Sequence, residues 1–181
     1  MRLLQSIDPC DQFYEFKVAT KEDEAEIFSF FFDDFLAKEA FSAAAAPRND
    51  VMKKLVHQLV DNALKEKYSV KVTERKSGKI VAFRLVTVHP RPANIDGYGD
   101  IAIDKIECNR AKYMFSLLAK VLRQLWIRKP NVKKVLHNEP VYIQKEHQGK
   151  GIEERITFEH FDYPEICKAG FDGIVSEATS L

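Results

Sequence analysis

The sequence contains few of the residues that mark secreted, metal-binding or membrane proteins. Its three cysteines, Cys10, Cys108 and Cys167, are far apart and form no C-x-x-C pair. This odd, scattered set predicts neither a disulfide framework nor a zinc site, and it favours a reducing compartment. No apolar run approaches the roughly 20 residues of a membrane span, and the amino terminus lacks the basic-then-apolar order of a signal peptide. We therefore expect a cytoplasmic protein with no membrane partner and no metal ligands.

The chain also lacks an excess of either charge. It has 28 basic and 27 acidic residues among 181, with 45% hydrophobic residues. Near-neutral charge gives no reason to expect nucleic acid as a partner, and the composition is that of a globular protein. The length suits one domain with a proper core. We expect a short leader over residues 1–12 and a single domain over residues 13–181.

The most informative stretch, residues 135–151, predicts a strand that runs through a glycine turn into a helix. Val141 and Ile143 supply alternating apolar positions, and the turn Gln148-Gly149-Lys150-Gly151 precedes a helix that begins at Ile152. Turn glycines let the backbone approach a ligand, and the first amides of a helix have no partner inside it. A junction of this kind binds phosphate.

The rest of the chain predicts helices alternating with strands around one sheet. Phe residues are concentrated between Phe28 and Phe41, where they either belong to the core or line an apolar pocket for a ligand. The loop 91–100 contains Gly97 and Gly99 without a strand leading into it, so it is not interpreted as a phosphate site. The expected elements are a strand at 13–18, a helix from a Thr20–Asp23 capping box to Glu39, a helix capped by Asn49 or Asp50, a hairpin at 68–88 ended by Pro90, a helix to about Ile127 and a strand from Val135.

Ile143 to Gly151 fits apolar-x-x-x-x-[QR]-G-x-G and resembles the acetyl-coenzyme A signature of the GCN5-related N-acetyltransferase (GNAT) superfamily. Ala169-Gly170-Phe171 and residues 175–180 are similar to the invertebrate arylalkylamine N-acetyltransferase-like branch. The resemblance implies an α/β (α+β) fold with a mixed, mostly antiparallel twisted sheet and helices on both faces. It also implies transfer of an acetyl group from acetyl-CoA to a primary amine, with aromatic monoamines as the family-level expectation.

The resemblance implies that the coenzyme binds the backbone of the strand from Val135, here called the central strand, and the backbone of the glycine turn. Lys150 in this turn either contacts phosphate or is solvated. Pro140 lacks an N–H, so we predict a bulge there that separates this strand from the next one, at residues 173–178. The expected coenzyme contacts are Val141, Tyr142, Ile143, Gln148, Gly149, Lys150, Gly151 and Ile152.

Two sets of residues are candidates for the base that deprotonates the amine. Glu39 matches the catalytic glutamate that the insect members carry in Glu-Pro-Leu, although Ala40 replaces the proline. His137 and Glu139, two apart on the central strand, share one face and would relay a proton through water. The alternatives are that Glu39 is a surface residue at a helix end and that His137 is a hydrogen-bonded strand histidine.

Three departures from the family pattern support a second hypothesis. Glu153 stands where the family has a small residue, and Pro164 is expected to end or kink the helix after Tyr163. Members of the family continue through a further helix and two strands, which we expect to be missing here. A bare edge strand at residues 173–179 would then favour a homodimer. The alternative function is an acetyltransferase-like protein with impaired catalysis that acts through protein association.

Overall fold

The computed structural model describes residues 9–45, 47–93, 102–159 and 161–177. Short 3₁₀ turns lie at Lys21–Asp23, Ile103–Lys105 and Lys145–His147, and a π-helical turn spans Phe30–Phe35. The strands are β1 (Tyr14–Val18), β2 (Val70–Glu74), β3 (Ile80–Pro90), β4 (Lys134–Ile143) and β5 (Gly173–Ser176). The α-helices are α1 (Pro9–Phe13), α2 (Glu24–Ser29), α3 (Leu36–Lys38), α4 (Ala40–Ala45), α5 (Asn49–Ala63), α6 (Asn109–Arg128), α7 (Ile152–Phe158) and α8 (Tyr163–Lys168).

The five strands form one sheet in the order β1-β2-β3-β4-β5. Neighbours from β1 to β4 are antiparallel, whereas β5 runs parallel to β4. The predicted mixed, mostly antiparallel sheet is therefore confirmed, as is the hairpin of β2 and β3. In none of the described segments does a helix combine the length and apolar character needed to cross a membrane.

Helices cover both faces of this sheet, as predicted. On one face Phe83 and Leu85 of β3 pack with Phe31, Val56 and Phe115 from the helices. On the other face Ile152 and Ile156 of α7 pack against β2 and β4, and Ile166 of α8 packs against Leu136. Burying each such side chain contributes about 1.5–3 kcal/mol.

The phenylalanine-rich helical stretch begins with the predicted capping box. The Thr20 backbone N–H donates to Asp23 Oδ2 at 2.9 Å. Helical structure continues through α2, the π-helical turn and α3, and the chain becomes extended at Glu39. The π-helical turn is the feature that helical periodicity did not predict, because its hydrogen bonds span one residue more than those of an α-helix.

Arg84 of β3 holds the end of α7. Its side chain is fully buried and donates to four backbone carbonyls, those of Ile156 (2.6 Å), Thr157 (3.1 Å), Tyr68 (2.8 Å) and Glu159 (2.7 Å). The last carbonyls of a helix have no partner inside it, and here the guanidinium supplies one. Burial lowers the pKa of Arg84 to about 10, so the group remains charged at neutral pH.

Several boundaries differ from the predictions. Arg48, not Asn49 or Asp50, occupies the N-cap of α5. The break predicted after Tyr163 was wrong, because α7 already ends at Phe158 and Pro164 lies in the first turn of α8. A proline there loses no helical hydrogen bond. Helix α1 begins inside the expected leader, and Gly97 and Gly99 lie outside the described residues.

Candidate active site

The bulge predicted at Pro140 is present in β4. Arg84 faces Val141 and Val86 faces Asn138, so Leu85 of β3 lies opposite two residues, Glu139 and Pro140. A proline is tolerated here because a bulge interrupts the hydrogen-bonded ladder. The bulge bends β4 in the middle of the sheet.

A cavity opens next to this bulge. Strand β5 pairs with β4 only from Val135 to Asn138, and the pairing stops before the bulge. Beyond that point lies a cavity of about 670 Å³. Its apolar wall comes mainly from the π-helical turn, α5 and α6, and its polar lining includes the carboxylates Glu39, Glu139 and Glu177. An apolar pocket with a few polar groups is typical of a small-molecule site.

The glycine turn has the predicted conformation. Gly149 and Gly151 have φ angles of 70° and 86°, which residues with a Cβ rarely adopt. The Gln148 side-chain amide donates to the Ile143 carbonyl at 3.0 Å and braces the turn against β4. Lys150 is exposed. The backbone is therefore shaped as the phosphate-binding prediction requires.

Glu153 nevertheless occupies part of this turn. Its Oε1 atom accepts a hydrogen bond from the Gly149 N–H at 2.6 Å. A carboxylate at this amide takes the position that a phosphate oxygen would need. Coenzyme binding would therefore require this hydrogen bond to break.

The other predicted coenzyme contacts differ in accessibility. Val141 is 36% exposed, and it lines the cavity together with Tyr142 and Gln148. The Tyr142 hydroxyl donates to Asp34 Oδ2 at 2.7 Å, which ties β4 to the π-helical turn. The side chains of Ile143 and Ile152 are buried in the core. A ligand along β4 would therefore meet a groove at residues 141–142.

Glu39 lies on the cavity wall and also caps a helix. Its Oε2 atom accepts a hydrogen bond from the Ser42 N–H at 2.6 Å, in the first turn of α4. Glu39 therefore lies at a helix end, as the alternative expected, and also lines the cavity, while its role as base stays a prediction. The carboxylate that faces the cavity is held in position by the helix it caps.

His137 and Glu139 are in contact, as their spacing predicted. His137 Nδ1 lies 3.0 Å from Glu139 Oε1, and His137 Nε2 is hydrogen-bonded to Glu177 Oε2. Burial alone would lower the pKa of His137, but Glu139 and Glu177 outweigh it and raise the pKa to about 10. For Glu139 the effect of burial has the opposite sign and raises the pKa. His137 and His89 outweigh it and hold the pKa of Glu139 well below its usual value.

Sequence reasoning missed three members of this cluster. Thr87 Oγ1 donates to Glu139 Oε1 at 2.8 Å and lies 3.0 Å from His89 Nε2. Glu177 follows β5 directly. A signal was present, because Thr87 on the predicted strand and His89, one residue beyond its predicted end, are two apart in the same way as His137 and Glu139.

Comparison with known proteins identifies the fold. No protein-family model and no curated protein matches the sequence. Among solved structures, arylalkylamine N-acetyltransferase 2 from Aedes aegypti matches with a TM-score of 0.72 and 14% identity, over 93% of this chain and 77% of that one. Polyamine N-acetyltransferase from Drosophila melanogaster matches with a TM-score of 0.71 and 14% identity, over the same shares.

A third similar structure has a different activity in its name. The C-terminal condensation domain of Ebony, solved with β-alanyl-dopamine, matches with a TM-score of 0.64 and 12% identity, over 92% of this chain and 76% of that one. The fold is thus shared by proteins with different names and substrates. These similarities show that the chain has the fold of the insect arylalkylamine and polyamine N-acetyltransferases, as the sequence resemblance predicted.

Proposed function

We propose that this protein is an acetyl-CoA-dependent N-acetyltransferase that acts on a primary amine. The observation that carries the proposal is the cavity at the β4 bulge, which has an apolar wall and carboxylates facing it. An amine with an apolar body fits this lining, since the carboxylates attract the cation and the apolar wall packs against the rest. An aromatic monoamine is the acceptor that the resemblance favours.

The reaction needs a binding surface for the coenzyme, a group that polarises the thioester carbonyl, and a base. The groove at Val141 and Tyr142 would take the pantetheine arm, and a backbone N–H of β4 would polarise the thioester carbonyl. A base then removes the ammonium proton and the amine nitrogen attacks the carbonyl carbon. The C–S bond breaks to release the coenzyme thiolate, which takes up the second proton that the attacking nitrogen loses as the amide forms. The Gln148–Gly151 turn would hold the pyrophosphate.

Glu39 is the base that the geometry favours. Glu139 is already engaged by His137 and Thr87 in a buried cluster, and its side chain is only 7% exposed. Glu39 lies at the end of the helical stretch rather than on the sheet, and it lines the cavity. The His137–Glu139 relay remains the second prediction for this step.

Two observations support the alternative function, a protein with impaired catalysis that acts by association. The Glu153 carboxylate occupies the Gly149 N–H, which opposes coenzyme binding. Strand β5 is the last strand of the described sheet and is paired on one side by β4. A second copy of the chain pairing with β5 would be the form of association expected.

Replacement of Glu153 by alanine is expected to strengthen acetyl-CoA binding by about tenfold or more. The charge-assisted hydrogen bond to Gly149 contributes about 1.5–3 kcal/mol, and its loss frees the amide and removes a negative charge near the phosphates. Glu153→Gln separates charge from size, because it keeps the bulk and removes the charge. Isothermal titration calorimetry with acetyl-CoA gives the dissociation constants.

Glu154→Ala is the matched control, since Glu154 is an exposed glutamate in the same helical turn. It should bind acetyl-CoA like the unmodified protein. If neither the unmodified protein nor Glu153→Ala binds at millimolar coenzyme, the acetyltransferase proposal is wrong and the association function takes its place. If both bind equally well, Glu153 is no obstacle.

A further inference from the structure

A compact polar cluster lies behind the cavity, where three neighbouring strands meet. Thr87 and His89 come from β3, His137 and Glu139 from β4, and Glu177 from the end of β5. Thr87 pairs directly with His137, and His137 pairs with Val175, two residues before Glu177. The register of the sheet therefore brings these side chains together.

Three donor atoms of the cluster lie close to one another. His89 Nε2, His137 Nδ1 and Glu139 Oε1 are separated by 3.4 Å (His–His), 3.0 Å (His137–Glu139) and 3.7 Å (His89–Glu139). A tetrahedral zinc ion with bonds of about 2.0–2.1 Å spaces its ligands about 3.4 Å apart, and the three separations bracket this value. An octahedral ion with similar bonds needs all three near about 3.0 Å.

The surroundings of these atoms are those of a metal site. The His137 ring uses its second nitrogen to contact the Glu177 carboxylate, the arrangement that fixes the tautomer of a metal-bound histidine. Thr87 likewise donates to Glu139 and orients that carboxylate. The side chains of His137, His89 and Glu139 are 0%, 7% and 7% exposed.

Charge and access favour the same conclusion. Two carboxylates, Glu139 and Glu177, lie within a buried cluster whose other titratable members are two imidazoles. Buried charges in proteins are paired or coordinate metals, and a divalent cation with two neutral imidazoles balances two carboxylates. Both glutamates also line the cavity, which gives an ion a route to the site.

We propose that His89, His137 and Glu139 bind a divalent transition-metal ion, Zn²⁺, with a fourth position directed to the cavity. Zinc binds imidazole nitrogens and carboxylate oxygens that carry no proton, so the protons held at these atoms pass to solvent when the ion binds. It would link β3 to β4 beside the bulge. Two imidazoles and one carboxylate are ligands that zinc prefers, and three protein ligands leave one position open. The inference does not depend on acetyl transfer.

The test is a titration of the intact protein with Co²⁺, used as a coloured substitute for Zn²⁺, followed by displacement with Zn²⁺. We expect one equivalent bound per chain, with the intense visible absorption of a tetrahedral Co²⁺ site. In His89→Gln and His137→Gln the affinity should fall by more than about 100-fold, beyond the range of a change outside the ligand set. Glu177→Gln should weaken binding by about 10-fold, since the amide is a poorer acceptor for His137.

His57→Gln is the matched control, because His57 lies on α5 with its side chain 62% exposed. It should bind Co²⁺ like the unmodified protein. Circular dichroism shows which variants fold. The visible Co²⁺ spectrum of the unmodified protein tests the proposal even if no variant folds. The proposal is overturned if that protein takes up no Co²⁺, if the spectrum is the pale one of octahedral Co²⁺, or if a folded His89→Gln or His137→Gln variant binds as tightly as His57→Gln.

Discussion

Replacement of Arg84 by methionine is expected to lower the free energy of unfolding by at least about 3 kcal/mol. The guanidinium is fully buried and donates to four carbonyls, three of them in the segment that ends α7. It also lies over the Phe161 ring, 3.8 Å from the centroid. Hydrogen bonds to a charged group contribute about 1.5–3 kcal/mol each, and methionine leaves all four carbonyls without this donor.

Urea unfolding followed by circular dichroism measures this change. Arg75→Met is the control, because Arg75 is an exposed arginine that donates to a single carbonyl, that of Asp11. It should change the stability by less than about 1 kcal/mol. Arg84→Lys keeps the charge but not the planar fork, and should lie between the two. Equal effects of Arg84→Met and Arg75→Met would show that Arg84 does not hold α7.

Replacement of Glu39 by glutamine is expected to lower kcat by about 100-fold at neutral pH while the dissociation constant of acetyl-CoA stays the same. A positioned general base contributes about 10²–10⁴-fold, and glutamine cannot accept the proton. The glutamine carbonyl can still accept the hydrogen bond from the Ser42 N–H, so α4 keeps its cap. A thiol-release assay with a panel of primary amines gives kcat, and calorimetry gives the coenzyme affinity.

Glu26→Gln is the control, because Glu26 also accepts a hydrogen bond from a backbone N–H but does not line the cavity. Glu26 Oε1 accepts from the Ile80 N–H at 3.1 Å. This variant should keep full activity. Unchanged turnover in Glu39→Gln would transfer the role of base to the His137–Glu139 pair.

The predictions that succeeded depend on short stretches of chain. The glycine turn was predictable because Gly149 and Gly151 adopt left-handed conformations that other residues avoid. The bulge was predictable because Pro140 cannot donate within a ladder. Alternation of apolar residues located the strands, and the resemblance supplied their arrangement in a sheet.

Predictions failed where contacts depend on how strands align. The Thr87–Glu139 and His137–Glu177 contacts follow from the register of β3, β4 and β5, which no local pattern specifies. The scattered cysteines predicted no metal site, and no local motif relates His89 to His137, which lie 48 residues apart in the chain. For Glu153, the resemblance indicated a departure from the small residue of the family, but it did not predict the hydrogen bond to Gly149.

The π-helical turn at Phe30–Phe35 determines the direction of everything that follows it in the same helical stretch. One additional residue per turn rotates the later side chains by about 100° relative to an unbroken α-helix. If the same number of residues adopted unbroken α-helical geometry, Glu39 would turn by that angle away from the cavity wall. Removal of one residue together with the π-helical turn would instead keep its direction, so the additional residue and the π-helical turn compensate each other, independent of which apolar residues fill the stretch.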